Sequence, residues 1–167
     1  MATADLGILE AAHAADSDYI TRQYSSRGYQ TLSFVAPIAY TGYALARGRP
    51  WSIQQTLRAT WLGGIGGAVS GAGVGWSWAT SNSPERVHKT RVKMAYDRSS
   101  LRLNDHSTIG AILGAMLTPA IFLKRARVFD LILGGAGIGS SAGAMVHWWR
   151  SMTEPDPEVP APAVKPV

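Results

Sequence analysis

Charge is absent from four long stretches of this chain, and those stretches define its plan. No Asp, Glu, Lys or Arg occurs in 28–46, 59–84, 106–123 or 131–149, windows of 19, 26, 18 and 19 residues. A helix needs ~20 mainly apolar residues to cross a ~30 Å hydrocarbon layer. The pattern therefore predicts an all-α integral membrane protein with four transmembrane helices in two hairpins. The helices are expected at about 29–46, 59–79, 107–123 and 131–149, within a membrane domain over 29–150. A polar arm (1–28) precedes this domain and a polar loop (80–106) divides it. A Pro-rich tail (151–167) follows, expected to be extended or disordered.

The first window contains Pro37, which predicts a kink, and the third contains Pro119 near its end. Arg47 is placed to snorkel at the end of the first span. Trp61, Trp76 and Trp78 lie near the ends of the second, where interfacial aromatics belong. Ala4 to Ala14 predicts a short amphipathic helix in the arm. Val87 to Met94 predicts another in the loop, after the Ser83-Pro84 start signal.

Inside the windows, glycine recurs every four residues. Gly63, Gly67, Gly71 and Gly75 form one ladder, Gly135, Gly139 and Gly143 a second, and Gly110 and Gly114 a shorter one. Residues four apart share a helix face, so each ladder is a stripe where another backbone can approach closely. In water each such glycine costs about 1 kcal/mol of helix stability relative to Ala. In a bilayer the backbone has no partner but itself and the helix persists. The ladders therefore predict packing faces, either among the four helices or against neighbouring subunits. The segments WLGGIGG at Trp61 and ILGGAGI at Ile132 suggest a repeat with an offset of 71.

The mean hydropathy of +0.01 resembles that of a soluble protein, but the average hides the segregation of charge. Only 16% of residues are charged, against about 25% in ordinary soluble domains. The net charge of +5 sits in connectors beside apolar segments. Contact with lipid phosphates, such as those of cardiolipin, or with a partner's acidic loops fits that placement better than nucleic acid does. The candidate residues are Arg86, Lys89, Arg91, Lys93, Arg98 and Arg102 in the loop, and Lys124, Arg125 and Arg127 in the second connector. The bland alternative is a solvated juxtamembrane segment. With four spans, one side carries ten Lys/Arg and the other six at higher density, so charge does not set the orientation.

Chemistry has little foothold. There is no cysteine, which excludes thiol catalysis and Cys-based metal sites. His13, His88, His106 and His147 lack metal-ligand spacing. Gly137-x-Gly139-x-x-Ala142 fits a loose dinucleotide fingerprint, but the strand, helix and second strand that it requires cannot follow in the remaining 25 residues. No carboxylate lies inside an apolar window, which argues against a transporter or proton channel. No catalytic, cofactor or metal site is expected. Acidic Asp5, Glu10, Asp16 and Asp18 precede the first basic residue, so a cleaved presequence is not expected either.

The stretch from Arg86 to His147 also carries a resemblance. Its elements are Tyr96-Asp97, Arg102 with Asp105, Ile109-Gly110, Thr118-Pro119-Ala120-Ile121, Arg125-Ala126 and the LGGAGIG run from Leu133 to Gly139. Together they resemble a fungal accessory membrane subunit of mitochondrial respiratory complex I, the NUXM type. The first half, with SFVAPIAY and LARGRP, fits that family more loosely. The resemblance implies a non-catalytic, multi-pass inner-membrane subunit without a cofactor, in contact with other membrane subunits and phospholipids. Two other classes share the plan: a Tim-type protein-translocase component of the inner membrane, and a small-solute carrier.

Overall fold

The structure, a computed structural model, describes residues 2–153. From Glu154 onward the expected Pro-rich tail lies outside the described residues. Five helices follow in order: α1 (Ala2–Ala46), α2 (Ile53–Ser81), α3 (Pro84–Tyr96), α4 (Arg98–Phe122) and α5 (Val128–Thr153). Among the described residues there is no strand.

Two expected boundaries move. The polar arm and the first span are one continuous helix of 45 residues, about 67 Å long. Ser17, Thr21 and Thr31 support it by donating to carbonyls four residues back, at 2.8 Å each. Its polar half also has packing partners, which a stretch of sequence does not reveal. The expected loop 80–106 is mostly helical as well. Ser83 precedes α3, Pro84 occupies its first turn, Glu85 lies near its N-terminus and Lys93 near its C-terminus. Asp97 then starts α4 by accepting the Ser99 N–H at 3.1 Å. After α1, the sharp turn falls at Gly48, with φ +62°, a conformation open to glycine.

α1 and α2 pack antiparallel, and so do α4 and α5. The two hairpins meet chiefly through α2 and α5. There Gly134 lies against Leu57 and Gly137 against Thr60, so the two helices run parallel. α3 lies along the N-terminal half of α1. The chain therefore places its α3 side and its two helical turns at opposite ends of the molecule.

The burial pattern is inverted relative to a water-soluble core. The buried apolar residues are few and scattered: Ile20, Ala44, Leu57, Ala79, Val87 and Leu131. Beside them lie buried Asp16, Ser33, Thr60, Ser100, Ser107, Asp130, Ser140 and Ser141. Large apolar side chains face outward instead, among them Ile65, Val69, Ile109, Met116, Ile121 and Val146, each half or more exposed.

By length and composition, one helix rather than four is apolar enough to cross a membrane among the described residues. It is α5, with a mean hydropathy of 1.3. The other charge-free windows fall short for a physical reason. α2 is diluted by glycine and Ser, the apolar stretch of α1 by Tyr29, Gln30, Thr31 and Pro37, and that of α4 is short and begins at His106.

Candidate functional site

All nine ladder glycines face another helix of their own hairpin. A methyl group on Gly67 would strike the Gly28 carbonyl and approach Leu32 Cβ to 2.9 Å. On Gly71 it would strike the Tyr24 carbonyl, and on Gly75 it would come within 2.9 Å of Thr21 Cα. Gly63 meets Leu32 and Ala36. In the second hairpin Gly110 opposes Gly139 and Gly143, Gly114 opposes Gly135, and Gly143 opposes His106 and Ser107. Within the chain these stripes are closed inside each hairpin. Four further glycines are packed as tightly, Gly64 among them, against Ser33 and Tyr29. Gly28 lies outside any ladder visible in the sequence, and Gly134 and Gly137 join the hairpins.

The hairpins repeat one another. Gly28 faces the Gly67 carbonyl with Gly71 Cα at 3.3 Å, and Gly110 faces the Gly139 carbonyl with Gly143 Cα also at 3.3 Å. These pairs relate the second helices by an offset of 72 and the first helices by 82. The same offset of 82 carries Pro37 onto Pro119. The offset of 71 read from WLGGIGG and ILGGAGI is therefore one residue out, a slip that consecutive glycines permit; 72 is also the offset between the two long ladders.

A seam of small polar groups runs between the hairpins. Gln30 Nε2 donates to Ser107 Oγ at 3.0 Å, and Ser107 shares a 2.6 Å hydrogen bond with Ser140. Ser141 Oγ reaches the carbonyls of Gln30 (3.1 Å) and Gly137 (2.9 Å). Ser33 Oγ is buried beside them without a protein partner. The seam ties α1 to α4 and α5 although α1 and α4 make little backbone contact.

Two buried carboxylates act as fasteners. Asp130, in the first turn of α5, accepts from Trp61 Nε1 at 3.1 Å and from Gln54 Nε2 at 3.4 Å. Its place at a helix N-terminus also favours its negative charge. Asp16 on α1 holds α3, with His88 Nδ1 at 2.7 Å and Arg91 at 3.4 Å.

The nine basic candidates do not converge. Arg91 turns inward to Asp16 and over the Tyr19 ring. Lys89 pairs with Glu85 one turn away, and Arg86 donates to Asn82. Lys93, Arg98 and Arg102 are exposed at the α3 end, and Lys124, Arg125 and Arg127 are exposed at the opposite end. They form two separate charged rims.

An open cleft of about 780 Å³ lies between α1, α4 and α5 at the α3 end. Its polar rim holds Arg27, Asp97, Ser99 and His147, and its walls hold Phe34, Leu103, Met145 and Trp148. Arg27 Nη2 donates to Ser100 Oγ at 2.9 Å, and Ser100 donates in turn to Asp97 Oδ2 at 2.8 Å. That hydroxyl bond is the main cause holding the Asp97 carboxyl below the usual carboxylate range. Burial opposes the shift, and the Ser99 and Ser100 amides and the Arg27 charge reinforce it. The sequence does not mark Arg27 as a site residue, and it marks Asp97 only within the resemblance. The available signals were a lone Arg at the edge of a charge-free window and the capping pattern Asp97-x-Ser99-Ser100.

Among the described residues, no group of three or more His, Asp or Glu side chains is placed to hold a metal ion. No protein-family model, curated protein or solved structure matches the chain.

Proposed function

We propose that this protein is a four-span membrane scaffold and a non-catalytic accessory subunit of the membrane arm of mitochondrial respiratory complex I. One observation carries the membrane reading: polar side chains are turned inward and large apolar ones outward. In water the exposed Leu, Ile, Val, Met and Phe of α2, α4 and α5 would form an apolar surface far beyond the few hundred Å² that a soluble monomer tolerates. In lipid the same surface has its natural solvent, and buried hydroxyls tie helices together by hydrogen bonds.

In this reading α2 and α4 span despite their low hydropathy, because their glycines face protein and their apolar residues face lipid. A mean hydropathy along the sequence does not register which face each residue occupies. Assignment to complex I rests on the resemblance across Arg86 to His147. The rigid, outwardly apolar frame fits a subunit that fills space beside other membrane subunits and binds phospholipids.

Two measurements test the proposal. The chain should resist extraction from inner-membrane vesicles by alkaline carbonate. It should also comigrate with NADH dehydrogenase activity on a native gel after mild detergent, and its deletion should lower the level of intact complex I. Comigration with a protein translocase would replace the assignment to complex I and leave the membrane scaffold standing.

A further inference from the structure

The cleft between α1, α4 and α5 combines features that belong together only at a lipid headgroup. Arg27 and Asp97 do not collapse into a direct ion pair, because the Ser100 hydroxyl stands between them and bonds to both. Each therefore keeps capacity for another partner. Arg27 uses one of the five N–H donors of its guanidinium, and each Asp97 oxygen has accepted one bond and can accept more. Ser99 Oγ and His147 Nε2, 3.3 Å apart, add polar groups on the same rim. Away from the rim the walls become apolar, with Phe34 40% exposed and Met145 50% exposed. Arg27 borders the charge-free window of α1 and Trp148 lies near the end of that of α5. In the four-span reading, on which this inference rests, the rim is at headgroup depth and the walls enter the hydrocarbon.

We propose that this cleft binds one phospholipid with a zwitterionic headgroup bearing a primary amine, such as phosphatidylethanolamine, with its phosphate on Arg27 and its ammonium on Asp97. The charge pattern selects among headgroups. Asp97 repels a purely anionic headgroup such as phosphatidylglycerol. A choline headgroup has no N–H to donate to the carboxylate. Its other mode of recognition is a cage of several aromatic faces, and the cleft's Phe34 and Trp148 both stand in the apolar walls, away from the charged rim. A primary ammonium donates charge-assisted hydrogen bonds that the Asp97 carboxylate accepts.

The test places the full-length chain in nanodiscs containing equal parts of phosphatidylethanolamine, phosphatidylcholine and phosphatidylglycerol. Native mass spectrometry then reads the lipid that stays bound. The expected result is about tenfold preferential retention of phosphatidylethanolamine, the ratio that one lost charge-assisted contact should abolish. Asp97→Asn should bring the ratio near unity while keeping the fold, because Asn caps a helix as well as Asp does. Arg27→Gln should weaken retention of all three lipids. Equal retention by the unaltered chain, preference for either other lipid, or an unchanged ratio in Asp97→Asn would overturn the site. Release of the chain by alkaline carbonate would overturn the membrane reading and the site with it. A chain that stays in the membrane but shows no headgroup preference would overturn the site alone.

Discussion

A single methyl group separates two kinds of glycine in this chain. At Gly139 a Cβ would overlap the Gly110 carbonyl, an atom held by its own helix and unable to yield. Gly139→Leu should therefore force α4 and α5 apart, at a cost of about 3 kcal/mol or more. The expected readout is a lowered unfolding midpoint in detergent and loss of incorporation into the parent complex. At Gly73 a Cβ meets nothing within 4 Å. Gly73→Ala should be tolerated, visible as an unlowered midpoint in the same assay. Equal behaviour of the two variants would show that the ladders are not packing faces. Sequence spacing ranks these glycines by period alone, and Gly28, the partner of Gly67, belongs to no visible ladder.

α3 and α5 are each fastened by a carboxylate that the sequence places outside the apolar windows. Asp16→Ala should release α3 from α1. Its partners are partly exposed, so the expected loss is only about 1 kcal/mol. Hydrogen exchange should show it as faster exchange confined to the amides of 85–96, with the α1–α2 interface unchanged. Asp130→Ala leaves the Trp61 indole N–H without its acceptor beside the α2–α5 contact, and should cost about 1–2 kcal/mol. Asp130→Asn retains an acceptor and should lose less, as thermal unfolding of the pair would show. The charge-free windows fall largely on α2, α4 and α5, although α4 begins at Arg98, inside the expected loop. They miss the downward extension of α1 because Ala-rich polar sequence is equally compatible with a solvated arm. What makes it a helix along its length is the packing of Ile20, Asp16 and Thr21 against neighbours remote in sequence.

In the four-span reading, the assembled molecule predicts which segments share a side, a relation that the charge count does not supply. α2 and α5 run parallel, so both helical turns must lie on one side and α3 on the other. Because the chain has no cysteine, single-cysteine variants report this directly. Arg49→Cys and Ala126→Cys should be labelled by an impermeant maleimide from the same face of sealed vesicles, and Arg86→Cys from the opposite face. Labelling of all three from one face would refute the four-span arrangement.

The segregation of charge, the four apolar windows and the four-residue glycine period follow from the order of residues alone. They determine that the chain is helical, where its helices turn, and which stripes admit a close neighbour. Only the tertiary structure decided which stripe meets which. It closed the ladders within their own hairpins and brought Arg27 to Asp97 across 70 positions of sequence. The reason is physical. A period of four names a face and not its partner.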